Sequence, residues 1–448
     1  MVVLQKYVVE KEKLGGTCLN VGCIPTKCLC RNAEVLEDVR AALRYGIQTG
    51  DVSFDLQTAI ARKDEVVGKL IAGVETLMKA PGITLLHGTA RLSQTQARPY
   101  CVDVVTDDGT ATLLAQNIII ATGSVTKFLP IEGAHSEGVV TSTEMLSLDK
   151  VPARLCIIGG GVIGVEMATV YSALGCQVTI LEGLDRLVSV LDKEFSQNLK
   201  MNFKKKGVEV ILKANVTAIE PMEEGVRVLY ESKGKPESVC AQGVLVSVGR
   251  RPQTAGLFAE GITPEMNRGF LVVNERFETS VPGIYAIGDV IGGIQLAHKA
   301  EAEGLACVAY MVGREPDTSV RVVPSCIYSS PEIASVGLTA EEAQERGIAV
   351  KKSKYLMSGN GKSVIEGEDR GFIKMVFDAE TDRLLGVQMM CGRATDLISE
   401  FTGAIVNGWT RRQLLTGMRP HPSFCEGITE ALEAAEGMSI HSAPVAKP

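Results

Sequence analysis

Between Lys13 and Cys30 runs KLGGTCLNVGCIPTKCLC, which holds Cys18, Cys23, Cys28 and Cys30. Thiols this close can ligate a metal, exchange as a redox pair, or pack as small apolar side chains. Their spacing, C-x4-C-x4-C-x-C, fits a zinc knuckle poorly, because such sites usually leave roughly two to four residues between ligands. It matches no common iron–sulfur pattern either. A redox pair would be Cys18 with Cys23. Residues five apart rise ~7.5 Å along an ideal helix, whereas a disulfide wants Cα atoms roughly 4.4–6.8 Å apart. The pair therefore calls for an interrupted helix, and Gly22 and Pro25 sit where a break is tolerated. A strained, accessible disulfide is the reactive kind. Lys27 follows Cys23 by one helical turn, so both can face the same ligand. Cys28 and Cys30 fall in the helix that continues toward Arg40, where cysteine is commonly a small buried hydrophobe.

A second cluster is the glycine turn of GGGVIGVE. Gly159, Gly161 and Gly164, with Val162 and Ile163 between them, spell G-x-G-x-x-G after one β-branched run and before a helical one. The first glycine makes the tight turn, the second admits a pyrophosphate, and the third lets helix pack on strand. The helix N-terminus attracts the phosphate charge. Glu182 ends the next strand, where an acid binds ribose hydroxyls. Only Gly183, Leu184 and Asp185 follow before Arg186. No arginine pair waits for a 2′-phosphate, so NAD is expected over NADP.

The third candidate is a base. His421 stands between Pro420 and Pro422, and Glu426 follows in RPHPSFCEGITEAL. A neutral imidazole accepts a thiol proton near pH 7, and a carboxylate can fix its tautomer. Ser423-x-x-Glu426 also reads as a capping box for the last helix. Both roles can coexist through different carboxylate oxygens. His87, His135, His298 and His441 have no comparable setting.

These groups need a scaffold, and the chain supplies a repeated one. Residues 154–182 read as strand, glycine turn, helix stopped at Gly175, and strand, the βαβ unit of a parallel sheet. NIIIATGS at 117–124 and GVLVSVGR at 243–250 end alike, which suggests two nucleotide-binding units. VPGIYAIGDV at 281–290 is a further strand-to-turn with an exposed Asp. After about residue 320, FIKMVFDAETDRLLGVQMMC (372–391) alternates like antiparallel strands, helices follow from Leu397, and the tail SAPVAKP reads as disordered. With 448 residues, 45% hydrophobic and 22% charged, the chain suits several globular domains. A net charge of −7 and 5% aromatics argue against nucleic acid. No apolar run reads as a membrane span. The first residues lack a secretory pattern. With 12 cysteines, a reducing, cytoplasmic setting is expected, in which any functional disulfide is catalytic.

The run GGTCLNVGCIPTK resembles the redox-active segment of the FAD-dependent pyridine nucleotide–disulfide oxidoreductases. Its filling residues are most similar to the branch that acts on dihydrolipoamide. The resemblance extends over nearly the whole chain. It implies an α/β fold with two Rossmann-like nucleotide-binding domains and a C-terminal α+β dimerisation domain. The matching boundaries are 1–148 for the FAD domain, 149–275 for the NAD domain, 276–320 for a return segment of the FAD domain, 321–441 for dimerisation, and 442–448 as tail. It implies FAD and NAD as cofactors and no metal. Cys23 becomes the thiolate beside the flavin and Cys18 the thiol that exchanges with substrate. Lys27 lies near flavin N5 and pairs with Glu166. Glu10, Thr17, Ala90, Thr122, Gly123, Asp289 and Ala297 become flavin contacts; Val216, Gly249 and Arg250 join the glycine turn and Glu182 around NAD. His421, held by Glu426, reaches the disulfide across a homodimer. Dihydrolipoamide attacks Cys18, and two electrons pass through the flavin to NAD. The partner is a lipoyl domain or carrier protein of a 2-oxoacid dehydrogenase, acetoin or glycine cleavage complex. The main competitors are a glutathione- or mercuric-type reductase using NADPH, and an inactive remnant.

One departure from the family carries a physical expectation. YVVEKEKLGG resembles the second strand of the FAD unit, with Glu10 as its ribose acid. A first strand with its own glycine turn does not precede it, a difference of roughly 30 residues. In the doubly wound order that strand is central. Its neighbours would be left with unpaired edges, which are costly and adhesive. Such a chain is expected to bind FAD poorly and to aggregate.

Overall fold

Strand Arg154–Ile158 is buried from its second residue onward, as an apolar run between two layers must be. In the computed structural model, which describes residues 5–94, 98–262, 264–368 and 370–442, it is the middle of a five-stranded sheet. The order is Glu209–Leu212, Gln177–Glu182, Arg154–Ile158, Gly243–Val246 and Val139–Val140, all parallel. Helix Val162–Ala173 is almost wholly buried. It belongs to a core that includes Tyr171, Ile157, Ile180 and Phe195. Truncating a buried aromatic such as Phe195 to alanine costs about 3–5 kcal/mol. A three-stranded antiparallel sheet, Ala214–Met222, Gly225–Ser232 and Lys235–Ala241, covers one side.

The other nucleotide unit is assembled differently. Strands Lys6–Glu10 and Ile83–His87 form one parallel pair. Strands Ile118–Ile120 and Ile284–Ala286 form another. The two pairs share no ladder, so this unit has two two-stranded sheets in place of one continuous sheet. An antiparallel sheet, Thr89–Gln94, Tyr100–Thr106 and Gly109–Ala115, packs beside them with Val104 and Ile120 in a shared core.

Helix α1 (Gly16–Val21) and helix α2 (Cys23–Ala41) are separated at Gly22, whose φ is −131° and ψ −116°. A Cβ there would lie 2.8 Å from the Thr17 carbonyl oxygen, so the break depends on glycine. Leu29 and Cys30 of α2 pack into the core of the second unit rather than into a sheet of the first.

The C-terminal part has its own five-stranded antiparallel sheet, ordered Ser325–Ile327, Ile333–Gly337, Leu384–Met390, Phe372–Asp378 and Val350–Leu356. Helices Ser399–Val406 and Glu426–Ala434 close over it through Phe401, Ile428 and Phe377. The helical run anticipated from Leu397 begins earlier, at Ala394, because Arg393 takes a left-handed φ of 60° that reverses the chain out of the last strand. Most of the tail expected to be disordered lies outside the described residues. No described helix is long and apolar enough to cross a membrane.

Candidate active site

The helix break brings Cys18 and Cys23 together as free thiols, the first half-buried and the second exposed. Hydrogen bonding to Cys18 is the largest influence on Cys23; burial opposes it and Lys27 assists, and the net effect lowers the Cys23 thiol to about 6. Cys18 moves the other way, raised by the bond to Cys23 and by burial. One thiol is thus ready to be a thiolate near neutrality and its neighbour to keep its proton. Thr17 lies beside Cys18 in α1. Cys28 and Cys30 are buried, and burial pushes the Cys30 thiol up to about 12.

Behind this pair sits an ion pair. Lys27 Nζ donates to both Glu166 oxygens, at 2.9 and 2.8 Å. The Glu166 side chain is only 5% exposed. Burial pulls the Lys27 ammonium down, but Glu166 outweighs it and the net shift is upward. The cation therefore stays charged one turn below Cys23, and no buried charge is left unpaired. Glu166 comes from the nucleotide helix of the second unit, so this ion pair joins two domains.

At the glycine turn, Gly159 has φ +110° and a Cβ there would meet the Ser247 carbonyl at 2.5 Å. A Cβ on Gly164 would come within 2.0 Å of the Gly159 carbonyl. Gly161 has nothing within 4 Å, so its surface is open to a ligand approaching the helix N-terminus between Val162 and Ile163. Glu182 Oε2 accepts from Gly160 N–H at 2.5 Å and Oε1 from Leu184 N–H at 2.7 Å, which fixes the acid at the strand end beside the turn. This arrangement fits a dinucleotide. Val216, expected among the NAD contacts, is 8% exposed and packs its side chain in a hydrophobic core.

Asp289 lies in the turn after strand Ile284–Ala286 and accepts from Ser124 Oγ at 2.5 Å. Arg250 reaches the same place. It donates to Ser124 Oγ and to the Ser124 carbonyl, both at 2.6 Å, and stands 3.9 Å from Asp289. Arg250, expected beside NAD, thus has its guanidinium engaged by the turn that carries Ser124 and by Asp289. Gly249 before it has φ +104°, and Gly123 φ +70°, as two tight turns face each other. Thr122 donates to the Gln253 carbonyl at 2.7 Å, tying the same two segments. Ala297 opens helix Ala297–Met311. Just before it, Gln295 Nε2 is buried without a partner. An orphaned donor just before this helix fits a flavin ring that supplies acceptors. Glu10 ends its strand with Oε1 accepting from Glu12 N–H at 2.9 Å, and Ala90 lies in strand Thr89–Gln94. Among the described residues no second glycine turn stands ready for the FAD pyrophosphate. The described residues therefore fit the ring end of FAD.

His421 Nδ1 meets Glu426 Oε1 at 2.7 Å. The carboxylate holds a proton on Nδ1 and leaves Nε2 free to accept. Burial pushes the Glu426 carboxyl up, but the Ser423 N–H and His421 outweigh it and the net shift is downward. The capping box is corrected to half of one: Ser423 N–H donates to Glu426 Oε2 at 2.9 Å, while the Ser423 hydroxyl turns to the Pro420 carbonyl. The His421 side chain is 79% exposed, in a position to meet another molecule.

Three contacts carried no sequence signal. Tyr328 lies over Lys27, Ser124 bridges Asp289 and Arg250, and His441 Nδ1 meets Glu430 Oε1 at 2.6 Å, one helical turn beyond Glu426. The sequence alone does not set His441 apart from the other histidines. Among the described residues no group of three or more His, Cys, Asp or Glu is arranged to hold a metal.

Comparison with known proteins bears on this geometry directly. A family model described as pyridine nucleotide-disulphide oxidoreductase matches residues 4–304, and the dimerisation domain of the same family matches residues 323–432. The chain is 40% identical to a dihydrolipoyl dehydrogenase of Bacillus subtilis over 98% of its length and 94% of that protein. It is 38% identical to one of Geobacillus stearothermophilus, covering 97% and 92% respectively. In structure it is similar to the HOCl-induced flavoprotein disulfide reductase RclA from Escherichia coli, with TM-score 0.83, 29% identity, and 95% and 93% coverage.

Proposed function

The chain belongs to the pyridine nucleotide-disulphide oxidoreductase family, and from that premise we propose that it oxidises protein-bound dihydrolipoamide to lipoamide with NAD as final acceptor. The observation that carries the reading is the thiol pair at the Gly22 break, backed by the Lys27–Glu166 ion pair. Bound FAD supplies the two-electron acceptor beside Cys23, and NAD the hydride acceptor beyond it.

The chain's own residues account for the thiol chemistry. In the oxidised centre Cys18 and Cys23 share a disulfide. His421 Nε2 takes a proton from one substrate thiol, and the thiolate attacks Cys18 Sγ. A substrate–Cys18 bond forms while the Cys18–Cys23 bond breaks and leaves Cys23 as thiolate. The second substrate thiol attacks the mixed disulfide, the substrate closes to its disulfide, and Cys18 leaves with a proton. The substrate has lost two electrons and two protons. The centre holds the electrons as Cys18 thiol and Cys23 thiolate, with one proton on Cys18 and one released through His421. The opposite shifts of the two thiols suit this division. Lys27 stabilises the thiolate and any developing negative charge beside it.

The family's dimerisation domain at residues 323–432 supports a homodimer. The exposed His421 then serves the thiol pair of a second copy. A lipoyl domain or carrier protein is the partner, and the reducing cytoplasm, where 12 cysteines stay free, is the setting. Turnover of dihydrolipoamide with NAD, measured by absorbance after FAD is supplied, tests the reading. Faster turnover of glutathione disulfide with NADPH would sink it.

A further inference from the structure

The Lys27–Glu166 pair is closed on one side by a residue from a third part of the chain. Tyr328 follows strand Ser325–Ile327 of the C-terminal sheet. Its ring lies over the ammonium, with the centroid 4.5 Å from Lys27 Nζ. Its backbone N–H donates to Glu166 Oε1 at 3.0 Å. Its carbonyl faces the Cys30 thiol at 3.9 Å. Ring and N–H therefore grip both members of the ion pair, one the cation and the other its counter-ion. An aromatic face attracts a cation through its quadrupole, and more so where water is held off. Tyr328 packs against the core that contains α2 and the nucleotide helix, which Ile327, Ile333, Phe372 and Met390 of its own sheet also enter. Its side chain thus lies at the junction of the three parts.

We infer that Tyr328 is a positioning residue for the redox centre, holding the Lys27 ammonium and Glu166 carboxylate in register beneath Cys23. The inference rests on reading Cys23 as the reactive thiolate. The titratable groups facing Cys23 are Cys18 from α1, Lys27 from α2 and Glu166 from the nucleotide helix, and Glu301 acts on Cys18. Lys27 favours the thiolate and Glu166 opposes it. With the ring removed, water reaches the ammonium and weakens its hold on the Cys23 thiolate. The nearby carboxylate then dominates, and Cys23 holds its proton to higher pH.

The test is the pH profile of the long-wavelength absorbance that the Cys23 thiolate gives with the flavin in the reduced holoprotein. Tyr328→Phe keeps the ring and should match the parent. Tyr328→Leu removes it, and Tyr328→Met does so with an unbranched side chain that fills the space if leucine loosens the fold. Either should show roughly two- to fivefold less of that absorbance at pH 6, the change expected from losing about half to all of one pH unit of thiolate stabilisation. An unchanged profile in the ring-less variants, while Lys27→Met shifts it, overturns the inference. So does a phenylalanine variant that loses as much as the methionine one. Dihydrolipoamide turnover is followed in parallel: a protein that turns over no dihydrolipoamide, yet whose Cys23 profile follows the ring, separates this inference from the substrate assignment.

Discussion

In the unit around Gly159, strand Arg154–Ile158 has a hydrogen-bonded neighbour on each side and the sheet runs unbroken through five strands. In the unit that carries Glu10 and Asp289, each of the strands Lys6–Glu10, Ile83–His87, Ile118–Ile120 and Ile284–Ala286 has a single neighbour. Both units nevertheless present their acids and glycine turns at strand ends. The contrast shows that local site chemistry and sheet closure are separable. It also shows where the redox segment gets its support. α2 contributes Leu29 and Cys30 to the core of the closed unit, and its lysine is held by Glu166 of that unit. The catalytic thiols thus lean on the NAD side of the molecule, not on the parted sheet of their own domain.

The largest expected difference between the units is in amide exchange. Ile157 and Ile180 should be protected at least about 1000-fold more than Val8 and Ile119, because two-stranded pairs open locally while a closed central strand opens only with the domain. Equal protection would break the comparison. Smaller is the effect of Glu166→Gln, which leaves Lys27 without its counter-ion. We expect about 2–3 kcal/mol of lost stability, read from the denaturant midpoint and accompanied by a Cys23 thiolate that persists to lower pH, since Glu166 opposes it. The smallest pair compares turns. Gly164→Ala forces a Cβ to 2.0 Å from a carbonyl oxygen and should cost about 2 kcal/mol. Gly123→Ala meets only the strain of φ +70° and should cost about 1 kcal/mol.

The parts of this architecture that were legible in the sequence are those whose requirement is local. Gly159 and Gly164 are demanded by backbone atoms a few residues away or on the adjacent strand, and the pattern says so. The break at Gly22 followed from comparing helical rise with disulfide reach. The pairing of Lys27 with Glu166 was reachable only through the resemblance, since 139 residues separate them. Tyr328 was not legible at all: one tyrosine after a short strand is indistinguishable from core packing until the fold sets it over Lys27. His441 was overlooked because its partner, Glu430, sits inside a helix with no motif around it. Neighbourhood in sequence does not say which way a side chain turns: Val216 packs in a core and Arg250 binds Ser124.

The junction at Lys27, Glu166 and Tyr328 has a consequence for the order of assembly. Its bonds span 139 and 162 residues, separations whose closure comes late in folding. Until all three segments dock, Cys23 lacks the fixed cation that favours its thiolate. A nascent or partly folded chain therefore carries a sluggish thiol, which protects it from premature mispairing with the other cysteines. Pulse alkylation during refolding reads this directly: Cys23 should become the fast-reacting site only in the final phase. Reactivity here is a certificate of completed folding.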